Sequence, residues 1–276
     1  MLIKKHIKRK KQTRISSWRK VAISSWTAPK NPQTYGLLKF EADEMMSYIK
    51  EFREKHHKRL TPTHIVGKAL ALTIKENHEV NGYVVGNTLY KRDEVDVFFQ
   101  VAVDDEGKDL SGLVIKDADK SSLGDIIDFM KGQANQLRQG QDKSFNKIKK
   151  KISSTPNFAL RALLTFLDFA LYKLNIWSPL FGVQADPFGS AMVTNVSSFG
   201  VDMGFVPIPA ISHTPLILAV FTVKDEAVAQ DGEVKVKKMI TIGATLDHRV
   251  IDGVYGGKIV KSLKKYIEKP SLIESL

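Results

Sequence analysis

Residues 239–267 carry two periodicities back to back, and few folds accommodate that. From Met239 to Asp247 apolar residues alternate, with Ile240, Ile242, Ala244 and Leu246 on one face, the period of a half-buried strand. From Asp252-Gly253 onward, Ile259, Val260, Leu263 and Ile267 recur at helical spacing behind an aspartate suited to cap the helix. Between the two lies His248. Continuing the alternation puts its imidazole on the apolar face at the strand's end, poorly solvated and close to the positive end of the helix dipole. Both effects favour the neutral ring, which can take a proton. The residues alone leave two readings open: a base at a site, or a core histidine followed by an N-capping aspartate.

Upstream, strands and helices mix without a regular alternation. The spacing predicts a strand over 35–42, an amphipathic helix over 43–58 and a second helix from Thr61-Pro62-Thr63 to about Asn77. A hairpin is expected over 84–89, turning at Gly86-Asn87. Strands follow at 95–103 and 113–115, a helix opens at Ser121/Ser122, and a further strand spans Ser190 to Val196 and ends in Ser197-Ser198-Phe199-Gly200. The lack of a strict βαβ period argues for a mixed sheet rather than a doubly wound one.

Composition narrows the chemistry. The chain of 276 residues has no cysteine, which excludes disulfides, thiolate metal sites and a cysteine nucleophile. Its 43% hydrophobic content suffices for a large core. The formal charge of +12 is uneven: residues 1–20 hold nine of the 42 lysines and arginines and no acid. Such an arm can bind nucleic acid, anionic lipid or an acidic partner, or be a solvated tail. Trp18 is its one aromatic residue, so base stacking has little support and no specific nucleic-acid binding is expected. The basic N-terminus lacks the apolar run of a secretory signal, which makes the cytoplasm the expected location.

From Lys147 to Pro187 the texture changes. A lysine run leads to Ser154-Thr155-Pro156, the start of a helix over 157–177 in which Arg161, Thr165, Asp168 and Tyr172 form one narrow polar stripe. Almost everything else there is apolar. Three charges, Arg161, Asp168 and Lys173, argue against a membrane span. The expected helix is buried against the body or a neighbouring subunit rather than lying on a membrane.

Taken with Ser190 to Gly200, the segment Asp247-His248-Arg249-Val250-Ile251-Asp252-Gly253 resembles the catalytic domain of the acyltransferase component of 2-oxoacid dehydrogenase complexes, a relative of chloramphenicol acetyltransferase. The family's His-x-x-x-Asp-Gly signature is intact, and Thr194 to Gly200 matches its hydroxyl-bearing strand and glycine turn. Less specific matches at 19–22, 64–81, 95–103, 116–123 and 266–270 follow in the family's order, covering most of residues 18–276.

The resemblance implies an α/β, chloramphenicol acetyltransferase-like mixed β-sheet flanked by helices. It also implies transfer of an acyl group between coenzyme A and a lipoyl or other carrier thiol supplied by another protein, with no metal. By resemblance His248 is the general base, the Thr194 hydroxyl steadies the oxyanion, and Asp252 shapes the site through an ion pair whose best-matching partner is Arg19. A metal pair of His248 and Asp252 lacks a third ligand, and His6, His56, His57, His64, His78 and His213 are given no catalytic role. A homotrimer, or a higher assembly of trimers, is implied, with His248 of one chain meeting Thr194 of its neighbour. Transfer to a small hydroxyl or amine acceptor, or a non-catalytic scaffold role in a dehydrogenase complex, remain the alternatives.

The expected organisation is a basic arm over 1–17 and a catalytic domain over 18–276 with an inserted apolar helical segment at about 144–187. The resemblance puts lipoyl and subunit-binding domains ahead of the catalytic domain, where this sequence has the basic arm, and arm and insert together are the candidates for their tethering role. They are expected either to tether the body to a partner or anionic surface, or to be a disordered tail and a helix buried in the trimer.

Overall fold

The alternating segments pair into one mixed sheet in which the strand that leads to His248 lies second from one edge. The computed structural model describes residues 31–102, 110–138, 155–179, 184–209 and 211–274. Strands β1 (Gln33–Glu41), β4 (Val97–Ala102), β5 (Leu110–Ile115), β6 (Ala191–Asn195), β7 (Leu216–Val220), β8 (Lys224–Gln230) and β9 (Glu233–Asp247) form a seven-stranded sheet among the described residues, and β2 (Gly82–Val85) pairs with β3 (Thr88–Lys91) as a separate hairpin. Gly86, with φ +60°, supplies the left-handed turn of that hairpin, as the Gly86-Asn87 pair predicts. The sheet order is β1-β9-β7-β6-β4-β5, with β8 folded back on the first half of β9. Strand β6 runs parallel to both neighbours, and the other pairings are antiparallel.

Helices α1 (Asp43–His56), α2 (Pro62–Glu76), α3 (Leu123–Arg138) and α5 (Gly253–Glu268) share one hydrophobic core with the sheet, joined by the short α6 (Ser271–Glu274). The mixed sheet flanked by helices is therefore as the resemblance implies. Helix α2 lies at the centre and is buried from Ile65 to Ile74 on every side, which explains why its sequence is apolar beyond a single stripe. A Cβ on its Gly67 would lie 2.1 Å from Phe99 Cζ, so only glycine lets the helix approach β4. Lys68, also in α2, is buried and donates to the carbonyls of Ala118 and Asp119, and burial lowers its ammonium to about 8.

Strand β9 is buried more fully than its alternation suggests. Ile240, Ile242 and Ala244 face the helical core, yet Thr241, Gly243 and Thr245 on the other face are buried too. The cover there includes the loop after β6, because a Cβ on Gly243 would meet Gly204 O at 2.0 Å.

Helix α4 (Asn157–Asp168) continues into a π-helical turn, Phe169–Lys173. Of the burial expected against the body or a neighbouring subunit, the first is not found: no residue of α4 is buried in the single chain. The polar stripe explains the reversal: Asp168 and Tyr172 engage the body, so much of the apolar surface turns outward. No helix among the described residues is long and apolar enough to cross a membrane.

Candidate active site

The strand-to-helix junction presents His248 differently from the sequence expectation. Strand β9 ends at Asp247, and the turn 248–250 is closed by Val250 N and Ile251 N donating to the Asp247 carbonyl. The turn breaks the alternation, so His248 leaves the apolar face and is exposed in the single chain rather than poorly solvated. Asp247 is buried and organises the turn, accepting from the Arg249 backbone N–H at 3.0 Å and from Arg249 Nη2 at 2.6 Å. That ion pair raises the Arg249 guanidinium above its ordinary value, the hydrogen bond to Asp247 being the largest cause.

Asp252 caps α5, its Oδ1 accepting from Val254 N at 2.9 Å and Tyr255 N at 3.0 Å. The N-capping reading of this aspartate thus holds, and the cap fixes the chain direction four residues after His248. Arg19, its expected ion-pair partner, lies outside the described residues, as does the whole basic arm 1–17.

Thr194 occupies the C-terminal end of β6 and is 6% exposed. The next residue, Asn195, organises the turn that follows: its Nδ2 donates to Thr63 Oγ1 at 3.0 Å, and its Oδ1 accepts from Ser197 N and Ser197 Oγ. Sequence reasoning singled out the hydroxyls of this turn and passed over Asn195, which ties the turn to the start of α2. Close in sequence to that contact, His64 and Thr61 form a capping box: the His64 Nδ1 accepts from Thr61 N at 3.1 Å and lies 2.7 Å from Thr61 Oγ1. Burial, with the charges of Arg53 and Arg59, lowers the His64 imidazole to about 4.

The register keeps Thr194 away from His248 of the same chain. Thr194 pairs with Ala219, and Ala219 with Gly243, four residues before Asp247. At about 3.4 Å per residue that is ~14 Å along β9, with two strand spacings of ~4.8 Å still to add sideways. The two side chains therefore belong to opposite ends of the sheet, much too far apart to act on one atom within a single chain.

A third polar cluster was not legible in the sequence. His213, with φ 52°, approaches Asp168 Oδ1 through Nε2 at 2.6 Å and the Val84 carbonyl through Nδ1 at 3.2 Å. The Tyr172 ring stacks on it at 4.0 Å between centroids. Arg92 Nε donates to Asp186 at 2.7 Å, and Arg92 also lies 4.6 Å from the Tyr83 ring centroid. Burial, with the Asp186 charge, pushes the Tyr172 phenol up. A cleft of about 380 Å³ runs beside this cluster, lined by Arg92, Lys116, Tyr172, Asn175 and Asp186 among others. The polar stripe was the available signal, but nothing in the sequence tied it to His213. Among the described residues there is no group of three His, Asp or Glu side chains able to hold a metal ion.

The catalytic domain of the 2-oxoacid dehydrogenases acyltransferase family matches residues 8–150 and 188–274, most of the chain and both site segments. The chain belongs to this family. The 2-oxoacid dehydrogenase acyltransferase match passes over 151–187, which holds α4 and the π-helical turn. One relative is the lipoamide acyltransferase component of the branched-chain alpha-keto acid dehydrogenase complex of Bacillus subtilis, 23% identical over 94% of this chain and 52% of its own length. The chain thus spans about half the length of the curated relatives it matches. Two solved structures share the fold. A probable dihydrolipoamide acetyltransferase from Listeria monocytogenes has a TM-score of 0.64 and 21% identity, over 94% of this chain and 95% of that one. The dihydrolipoamide acetyltransferase of Azotobacter vinelandii has a TM-score of 0.63 and 16% identity, over 96% and 94%. That structure addresses the role of a serine, a histidine and an asparagine in its catalytic mechanism, the asparagine four residues after the histidine.

Proposed function

We propose that this chain is a coenzyme A-dependent acyltransferase that moves an acyl group between coenzyme A and a lipoyl or similar carrier thiol borne by another protein. The observation that carries the reading is the intact Asp247–Gly253 motif, presented as an open, capped turn within a match to the family's catalytic domain. His248 takes the proton from the attacking thiol, whose ordinary pKa of about 8.5 leaves it mostly protonated near neutrality. The thiolate adds to the thioester carbonyl, and the Thr194 hydroxyl donates to the resulting oxyanion. Collapse expels the other thiolate, which recovers the proton from the imidazolium. Asp252 holds the turn through its cap and pairs with Arg19. The His248 to Asp252 spacing equals that between the histidine and the asparagine named for the Azotobacter enzyme.

The separation of Thr194 from His248 supports a trimer whose sites lie between subunits, each taking the histidine from one chain and the hydroxyl from the next. Assembly of such trimers into a dehydrogenase complex in the cytoplasm, and attachment of the arm 1–17 to an anionic surface, complete the reading. In this organisation residues 18–276 are the catalytic domain, with an insert at about 144–187 that contains the segment the family match passes over.

Incubation with acetyl-coenzyme A and free dihydrolipoamide tests the proposal. Acetyl-dihydrolipoamide should form with wild-type protein and not with His248→Ala. Acetylation only of hydroxyl or amine acceptors would overturn the carrier thiol, and no transfer to any acceptor would leave a scaffold.

A further inference from the structure

Helix α4 is amphipathic with its sides reversed. Of its polar stripe, Asp168 is bound by His213 and Tyr172 is stacked on the same ring, while the Tyr172 hydroxyl donates to Asp186 and to the Ser212 carbonyl. These contacts fix the rotation of the helix. They leave Phe158 79%, Leu163 39%, Phe169 45%, Leu174 52% and Ile176 54% exposed along the helix and the chain just after it. Phe158, Ala162 and Phe169 recur on one helical face and line a shallow apolar depression. Exposed apolar surface of this kind marks an interaction site.

Charge identifies the partner. From Lys143 to Trp177 the sequence has seven basic residues (Lys143, Lys147, Lys149, Lys150, Lys151, Arg161, Lys173) against one acid, Asp168, which His213 already engages. With the nine charges of residues 1–20, this stretch accounts for more than the whole +12, so the rest of the chain is slightly acidic. A second copy of this stretch would bring a net charge of the same sign against it. A bilayer carrying anionic lipid satisfies both properties, because its headgroups attract lysine and arginine while its acyl boundary takes up aromatic and aliphatic side chains.

We infer that the outward face of α4 and the turn after it is an interfacial membrane-docking surface, with anionic lipid as its partner. The helix lies on the bilayer and does not cross it. Its footing is independent of the acyl-transfer proposal, since none of its residues belongs to the His248 or Thr194 segments.

The test uses the full chain with vesicles of phosphatidylcholine alone and of phosphatidylcholine with phosphatidylglycerol, read by co-sedimentation. Binding should require phosphatidylglycerol and weaken as salt is raised. The variant Phe158→Ser/Phe169→Ser/Ile176→Ser leaves every charge in place, including those of the arm, so it isolates the apolar face. Binding should fall at least about tenfold in this variant, given the contribution of each buried methylene to interfacial binding. Because all three side chains are exposed, acyl transfer and thermal midpoint should be retained and serve as the folding control. Equal vesicle binding by the variant and the wild type would overturn the inference, as would absence of binding by the wild type. A change of oligomeric state without lipid, with vesicle binding intact, would make the face a contact between copies and overturn it equally.

Discussion

Thr194 and His248 stand at opposite ends of one sheet, the first at the end of a parallel strand and the second just past the antiparallel strand two places away. The arrangement predicts subunit complementation. His248→Ala should be inactive as a homotrimer, and Thr194→Ala should lose about 10²–10³ in turnover. Random reassembly of the two variants in equal amounts pairs an intact histidine with an intact threonine at about a quarter of the interfaces. Mixed trimers should therefore recover far more activity than the sum of the separate variants. No recovery on mixing, with subunit exchange verified by mass, would place the whole site within one chain.

Asp252 caps a helix and, in the proposed mechanism, pairs with Arg19, and substitution can separate the two. Alanine removes both amide contacts and should cost about 1 kcal/mol of stability. Asparagine keeps an oxygen for Val254 N and Tyr255 N, so Asp252→Asn should leave the thermal midpoint unchanged. Its turnover should nevertheless fall, because the proposed pairing with Arg19 needs the charge. Steady-state kinetics beside a thermal melt reads both, and unchanged turnover would remove the ion pair from the mechanism.

The His64 capping box makes stability depend on acidity. Folded His64 titrates near 4 and an unfolded histidine near 6.5, so between these values the unfolded chain binds the extra proton. Its contribution is complete above pH 6.5 and is lost as pH falls toward about 4, on the order of 3 kcal/mol over the window. His64→Gln keeps an acceptor for Thr61 N and should flatten this part of the pH profile in denaturant titrations.

At Gly243 the strand is pressed by the carbonyl of Gly204, so Gly243→Ala must displace backbone. A cost of about 1–3 kcal/mol is expected. The displaced loop covers the face to which Thr194 also points, in register with Gly243 through Ala219. Faster proteolysis within 201–209 and lower turnover should accompany the loss of stability.

Much of this was legible wherever a residue's surroundings follow from its neighbours in sequence. The Gly86-Asn87 turn, the proline start of α2 and the Asp252 cap are local devices, and each lies where its residues predict. Leu216–Val220 gave no period because it is buried on both faces, and so its strand could not be told from any apolar run. The direction faced by α4 was unreadable for a different reason. An amphipathic pattern says which sides differ, and His213, far along the chain, decides which side turns inward. For the site, the residue types came from the family's signature, whereas the exposure of His248 and its distance from Thr194 are properties of a turn and of sheet register.

The position of β9 has a consequence for how the molecule comes into being. It is paired with β1 on one side and β7 on the other, so strands from the beginning and the end of the chain become neighbours. Such pairing closes a very long loop and is slow. Until β9 is inserted, β1 and β7 are both open edges, a state prone to wrong partners. The strand that completes the sheet is also the one that ends at His248. A nascent or truncated chain without β9 therefore lacks its histidine turn for the same reason that it lacks a closed core.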